Sequence, residues 1–166
     1  MDDAKKIDEF RNNGAIGALI DEYEKAIIEL QDVINKVTTD ELITIVDNET
    51  EDPACRSIQT ILTHVIKAGY CYVIEIRKSL GEQIEFVESE KLNTIKDYQK
   101  ELSNMLSYNE KLFDEYPNIK IEESDNQKKI VVRWGQFYDI EQLLEHAIVH
   151  ILRHRRQIER FLIKLR

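Results

Sequence analysis

The stretch that decides the fold lies near the end of the sequence, 139-DIEQLLEHAIVHILRHRRQIERFLIKL-165. Its histidines recur at every fourth position, as His146, His150 and His154. Four residues of α-helix turn about 400° and rise about 6 Å, so neighbouring members of this series lie on one face, one turn apart. At this spacing, two imidazoles on one helix can bind the same metal ion.

One ion cannot readily use all three of these histidines, because the outer two lie about 12 Å apart along a helix axis. The spacing alone does not choose between His146 with His150 and His150 with His154. The chain has only four histidines, and the fourth, His64, lies within another predicted helix. Its neighbours on that helix are apolar, so it points inward or toward the edge of the core. We expect the fold to bring His64 to one of the two pairs.

The rest of the chain predicts three more long amphipathic helices, since apolar residues recur three and four positions apart. Ser57 is a suitable N-cap for the second and Gly81 ends it, while Asp139 with Gln142 forms a capping box for the last. The predicted helices cover residues 15–37, 57–80, 92–116 and 139–165. Four such segments in one domain predict an all-α four-helix bundle, in which sites are built from facing helices.

Shorter elements connect these helices. Residues 1–13 are polar and are predicted to be frayed, 41–46 predict a turn of helix, and the acidic stretch 47–56 is typical of a loop. Between the third and fourth long helices, IKIEE (119–123) and KIVVRW (129–134) have strand-like composition, with turn-forming residues at 124–128. The sequence therefore predicts a small β-hairpin before the last helix.

Composition excludes several classes of protein. The chain has 166 residues, which is typical of one domain, and a net charge of −9, which argues against a broad nucleic-acid interface and against anionic membranes. No apolar run is long enough to span a bilayer, and no secretory leader is recognisable. The two cysteines, Cys55 and Cys71, form no CxxC pair, so a reducing cytoplasm is the expected compartment.

Two strings resemble a known family. SIQTILTHVIKAGY (57–70) and HILRHRRQIERFL (150–162), with a His in the second helix and a late H-x-x-x-H-R-x-Q-I signature, are similar to the DinB/YfiT-like superfamily of metal-dependent four-helix bundles. The resemblance covers about residues 14–165. It implies an up-down-down-up bundle, often dimeric, with a nickel or zinc ion held by His64, His150 and His154. His146 falls outside this triad, as a supporting or structural residue, and Arg156 stands where many members have glycine.

The resemblance also implies a range of functions. Three imidazoles suit zinc, nickel, copper or iron, and they leave coordination positions open for water or substrate. Characterised members use a low-molecular-weight thiol, as S-transferases or as a thiol-dependent isomerase, so a thiol S-transferase or a hydrolase is expected. The alternative is a non-catalytic metal-binding or stress-response bundle, also dimeric, which would have no cavity beside the histidines. The sequence identifies no general base and no substrate.

Other candidate residues have a structural interpretation beside the functional one. Cys71 is interpreted as a packed thiol, because it lies about two helical turns from His64. Glu75 could act as a supporting hydrogen-bond acceptor or a base, but a solvated edge is the interpretation preferred for it. Trp134 and Tyr138 are interpreted as packing residues rather than a substrate box. The last helix ends in a basic cluster of Arg153, Arg155, Arg156, Arg160, Lys164 and Arg166. We expect it to pair with acidic neighbours and the helix dipole rather than to form an anion site for a substrate carboxylate.

Overall fold

The structure is a computed structural model that describes residues 10–166. This part of the chain is mostly helical, with a small antiparallel sheet of two strands. None of its helices combines the length and the apolar character needed to cross a bilayer. The elements are α1 (Gly14–Ile34), α2 (Thr39–Ile43), a 3-10 turn (Pro53–Cys55), α3 (Ile58–Ser79), α4 (Ile95–Glu115), β1 (Ile130–Val131), β2 (Phe137–Tyr138) and α5 (Ile140–Leu165).

Helix α5 begins as its sequence predicts. The side chain of Asp139 accepts a 2.8 Å hydrogen bond from the main-chain N–H of Gln142, and Gln142 Oε1 accepts one of 3.1 Å from the N–H of Asp139. These reciprocal bonds satisfy main-chain donors that have no partner within the helix. The helix buries one face, formed by Ile140, Leu143, Leu144, Ala147, Ile151, His154, Ile158 and Phe161. His154 therefore stands in the row of residues that packs into the core.

The four long helices bury a common apolar core. Helices α1 and α3 each pack against both α4 and α5. Between α3 and α4 the approach is close at Gly69, where a Cβ atom would lie only 1.9 Å from Sδ of Met105. Nδ2 of Asn109 also donates a 3.3 Å hydrogen bond to the carbonyl of Gly69. These contacts fix the position of α3, which carries His64.

Both ends of α3 agree with the prediction. The side chain of Ser57 accepts a 3.1 Å hydrogen bond from the N–H of Thr60, which caps the first turn. Gly81 follows the last turn with a φ of +92°, a left-handed conformation that glycine adopts without steric cost. His64 therefore lies in the second turn of a helix whose start is fixed by its cap.

The boundaries of two other helices differ from the prediction. α1 ends at Ile34 rather than at residue 37, because Thr38 caps a separate short helix, α2, which begins two residues earlier than predicted. α4 begins at Ile95 rather than at residue 92. Thr94 accepts a 3.1 Å hydrogen bond from the N–H of Asp97 and so forms the N-cap. In both cases a threonine cap sets the boundary. The predicted fraying of residues 1–13 concerns mainly residues 1–9, which lie outside the described residues.

A hairpin is present before α5, but its strands differ from the prediction. Residues 130–131, predicted to lie in the second strand, form the first one. β1 pairs with β2, with Ile130 opposite Tyr138, and the turn between them contains Gly135 at a φ of +86°. Residues 119–123 form no strand. Instead, the carbonyl of Ile121 accepts a 3.1 Å hydrogen bond from the N–H of Glu141, at the start of α5. The turn therefore lies at residues 132–136 rather than at 124–128, and residues 119–123 bond to a helix end.

Candidate metal centre

Three histidines from two helices converge at one point. Nε2 of His64, on α3, lies 3.0 Å from Nε2 of His150, on α5. Nε2 of His154 lies 3.2 Å from the same atom of His150. The three residues each offer one ligand atom, and these atoms all lie within 4.8 Å of one another. The group could therefore hold a metal ion.

The orientation of the rings suits shared coordination. The planes of the three imidazoles are tilted against one another by 58°, 71° and 75°, with ring centroids 4.4–5.0 Å apart, so the rings do not stack. Zinc–imidazole bonds of about 2.0–2.1 Å at tetrahedral angles separate the ligand nitrogens by about 3.3 Å. The two short Nε2–Nε2 distances in this group are close to that value.

The hydrogen-bond requirements of these rings favour a cation. Nδ1 of His154 lies 3.0 Å from Oε1 of Gln157, an acceptor, so this nitrogen carries the proton and Nε2 of His154 is left with a lone pair. Nε2 of His150 is within hydrogen-bond distance of two other Nε2 atoms, but a single N–H cannot donate fully to both. A divalent ion would accept all three lone pairs at once. The donor set therefore fits a metal.

Burial keeps these imidazoles neutral. His154 is 3% exposed, and His64 and His150 are half-buried. Burial and the neighbouring histidines lower the pKa of His150 to about 2, and burial lowers the pKa of His154 to about 4. Burial also lowers the pKa of His64, against the nearby charge of Asp52, which raises it. Neutral imidazole is the form that binds a metal, so protons compete weakly at this site.

The loop before α3 supports Gln157. Asp52 caps the 3-10 turn, since its Oδ1 accepts a 2.9 Å hydrogen bond from the N–H of Ala54. Sγ of Cys55 lies 3.5 Å from Oδ2 of Asp52 and 3.9 Å from Oε1 of Gln157. Gln157 thus contacts both the loop and His154. Residues outside the ligand group commonly fix the orientation of a metal-binding histidine in this way.

His146 does not belong to the converged group. Its ring centroid is 6.4 Å from that of His150, and its ring stacks on Trp134 at 5.9 Å with an angle of 29°. Nδ1 of His146 lies 3.4 Å from the hydroxyl of Tyr138. The residue therefore links the start of α5 to the hairpin. Of the two pairs that the spacing left open, the structure brings His150 and His154 to His64.

A cavity of about 530 Å³ opens beside two of these histidines. Helix α3, the hairpin and α5 all contribute to its walls. It is lined by His64, Lys67, Ala68, Cys71, Tyr72, Arg133, Trp134, Gln136, His146 and His150. Trp134, interpreted from sequence as a packing residue, packs against Tyr72 and His146 and also lines this cavity. A small molecule in the cavity would lie next to the candidate ligands.

The structure overturns one interpretation and extends another. Glu75 is not at a solvated edge: it is 6% exposed, and its Oε1 accepts a 2.8 Å hydrogen bond from the main-chain N–H of Arg133. The hairpin, which approaches α3 at this point, could not be placed from the sequence of the helix alone. Cys71 is a buried thiol, as interpreted, but it also lines the cavity, where its Sγ lies 3.9 Å from Nη1 of Arg133.

The basic cluster of α5 has acidic partners at two positions. Arg155 pairs with Glu29 of α1, and Arg166 pairs with Glu41 of α2 at 2.9 Å. The expected pairing with acidic neighbours is therefore present for these residues. Arg153 acts differently, because its positive charge helps to lower the pKa values of the histidines.

No protein-family model matches the chain, and no curated protein matches it. The family resemblance therefore stays a prediction. The site includes residues to which sequence reasoning gave no role, namely Asp52, Arg133 and Gln157. Only Gln157 had a signal, since it lies three positions after His154 and so one helical turn away. Asp52 and Arg133 reach the site through loops, whose path a helical pattern does not predict.

Proposed function

We propose that this protein is a metal-dependent enzyme of the DinB/YfiT-like superfamily, with His64, His150 and His154 as the protein ligands of one divalent ion. The observation that carries the proposal is the convergence of their three Nε2 atoms beside a cavity. Nickel and zinc are the proposed metals, because imidazole nitrogen suits both and suits magnesium or calcium poorly.

We also propose an order and direction for the four long helices. The four long helices α1, α3, α4 and α5 would form the up-down-down-up bundle that the resemblance implies. The packing of α1 and α3 each against both α4 and α5 supports this arrangement. We also propose that the protein is cytoplasmic, because both cysteines are free, which suits a reducing compartment. The resemblance further implies a homodimer, and light scattering of the purified protein tests this oligomeric state.

The chemistry follows from three ligands and an adjacent cavity. A divalent ion with open coordination positions lowers the pKa of a bound water or thiol, so that a nucleophile is available near neutral pH. Buried imidazoles remain neutral, Gln157 holds the proton of His154 on Nδ1, and the cavity beside His64 and His150 admits the second reactant. The proposed reaction is S-transfer from a low-molecular-weight thiol, or a hydrolysis.

The non-catalytic alternative is less well supported. A bundle that binds metal only for structure needs no room beside its ligands. Here the cavity of about 530 Å³ is lined by two of the three histidines. This arrangement favours an enzyme over a non-catalytic metal-binding or stress-response bundle.

Elemental analysis of protein purified without a histidine tag tests the metal site. We expect about one nickel or zinc ion per chain, and we expect His150→Ala to lose it. His146→Ala is the matched control, since His146 lies one turn away on the same helix and outside the converged group. It should retain the ion. Full metal content in His150→Ala, with the fold intact by circular dichroism, would disprove the proposed ligand set.

A reaction screen distinguishes the two chemistries. Metal-loaded protein is incubated with a low-molecular-weight thiol and an electrophile, and separately with activated esters and amides. Metal-dependent loss of thiol groups, absent in His150→Ala, supports S-transfer. Thiol-independent cleavage of the ester or amide supports a hydrolase. Equal activity in wild type and His150→Ala would show that the reaction does not depend on the metal.

A further inference from the structure

The cavity beside the histidines has an aromatic wall. The rings of Tyr72, Trp134 and His146 contact one another, with centroids 5.9 Å apart for Tyr72 and Trp134, 5.3 Å for Tyr72 and His146, and 5.9 Å for Trp134 and His146. Trp134 is 41% exposed, so this large ring is only partly covered by its neighbours. Such a surface favours contact with a planar, apolar body.

The same cavity carries the guanidinium of Arg133. The hydrogen bond from Lys67 and, to a smaller extent, the charge of Arg133 lower the pKa of the Glu88 carboxyl. Within residues 10–166, Arg133 forms no ion pair. Its guanidinium lies 4.6 Å from the ring centroid of Phe86, and its Nη1 contacts Cys71. Lys67, the other cation of the cavity, is held by Glu88 at 2.5 Å. Arg133 therefore keeps most of its five N–H donors for a ligand.

The described residues that line the cavity carry more positive than negative charge, unlike the chain as a whole. The chain has a net charge of −9, yet among residues 10–166 no aspartate or glutamate lines the cavity. Two carboxylates contact lining residues from outside the cavity: Glu88 pairs with Lys67, and Glu75 accepts a hydrogen bond from the main-chain N–H of Arg133. Because Glu88 already pairs with Lys67, the preference for an anionic ligand over a neutral or cationic one comes from Arg133.

We infer that this cavity binds a small organic carboxylate with a planar aromatic body. The ring would pack against Trp134 and Tyr72, and the carboxylate would bind Arg133, whose guanidinium matches its geometry. The inference rests on the proposed function in one respect: it makes this carboxylate the substrate class of the metal enzyme. Binding itself depends only on residues of the cavity.

The intrinsic fluorescence of the protein reports occupancy directly, because Trp134 is the only tryptophan. Metal-free protein in a chelator is titrated with benzoate, with the neutral isostere benzamide and with acetate, which lacks the ring. We expect saturable quenching by benzoate, with an affinity at least tenfold higher than for benzamide or acetate. This order would show that both the ring and the charge are recognised.

Two matched variants assign the charge recognition. Arg133→Gln should weaken benzoate binding at least tenfold, to the level of benzamide, and leave benzamide binding unchanged. Arg160→Gln removes an exposed arginine of α5 that does not line the cavity, and it should bind benzoate as wild type does. Equal affinities for benzoate and benzamide in wild type would overturn the inference. So would equal losses in the two variants. If Arg133→Gln did not fold, the wild-type comparison alone would decide.

The metal is tested separately. Because the titration uses metal-free protein, loss of the proposed metal site would leave the benzoate result unaffected. Conversely, the protein could hold one ion per chain but fail to distinguish benzoate from benzamide. That result would leave the proposed metal enzyme in place and contradict only the inferred substrate class. Repeating the titration with zinc-loaded protein then shows whether the two sites are adjacent, since a ligand near the ion should bind with a changed affinity.

Discussion

Oε1 of Glu75, in α3, accepts a 2.8 Å hydrogen bond from the main-chain N–H of Arg133, 58 residues later in the chain. This carboxylate is 6% exposed. It ties Arg133, which lies between the two strands of the hairpin, to the helix that carries His64. The outer wall of the cavity is therefore attached to the same element as one of the candidate ligands.

Replacing Glu75 should loosen this wall. Glu75→Leu leaves the N–H of Arg133 without its acceptor, and we expect a loss of about 1–3 kcal/mol in the free energy of unfolding. Trp134, the next residue, should become more mobile, as measured by fluorescence anisotropy. Glu75→Gln retains a carbonyl oxygen at the acceptor position and should show a smaller loss. Equal stability of Glu75→Leu and wild type would show that the hairpin is held by other contacts.

Replacing Gln157 should weaken metal binding without removing a ligand. Gln157→Leu leaves Nδ1 of His154 without its acceptor, so the ring is no longer fixed in the tautomer that presents Nε2. We expect a 10–100-fold lower zinc affinity, the range typical of such supporting residues. Gln157→Glu keeps an acceptor oxygen and should stay close to wild type. Competition with a chromogenic chelator measures both, and unchanged affinity in Gln157→Leu would contradict the role.

Lowering the pH should destabilise the metal-free protein already at pH values above those at which carboxylates titrate. The folded pKa values of His154 and His150, about 4 and about 2, lie below the ordinary value of 6.5. As pH falls below 6.5, the unfolded chain therefore binds protons that the folded chain does not, and stability decreases. Between pH 7 and pH 5 the loss should be on the order of 1–2 kcal/mol for His154.

Urea unfolding in a chelator at pH 7 and pH 5 measures this effect. His154→Gln is the informative variant, because it lacks one of the groups that titrate and should lose less stability over the same interval. A midpoint that does not change with pH in wild type would show that these histidines are protonated equally in both states.

Tyr23 offers a prediction about stability that is independent of the metal. This tyrosine of α1 is 1% exposed, and its hydroxyl has no hydrogen-bond partner among residues 10–166. Burial raises its pKa, so the hydroxyl stays protonated. Tyr23→Phe keeps the ring and removes an unsatisfied polar group, so we expect it to raise the free energy of unfolding by about 1 kcal/mol. Thermal unfolding measures the change, and a decrease would indicate a partner for this hydroxyl.

Local signals predicted the positions of the long helices well. The caps at Ser57 and Asp139 fix the helix starts through hydrogen bonds to residues three positions away, so a short string of sequence is sufficient to identify them. The sequence prediction does not identify the threonine caps at residues 38 and 94. It therefore misplaces the end of α1 and the start of α4. Apolar spacing continues past such caps and does not itself mark a boundary.

The candidate site was only partly predictable. The spacing places His150 and His154 on one face of α5. It does not distinguish this pair from His146 with His150, and only the family resemblance favours His150 with His154. The bond from Arg133 to Glu75 depends on the path of a hairpin whose strands the sequence pattern does not place correctly. Such contacts between distant parts of the chain are set by tertiary packing, which periodicity does not encode.

The contact between His64 and His150 joins positions 86 residues apart. An ion shared by these two side chains would act as a reversible crosslink, much as a disulfide does in an oxidising compartment. Opening α3 away from α5 would then require release of the ion. Resistance to proteolysis, and with it the lifetime of the protein in a cell, would follow the supply of metal.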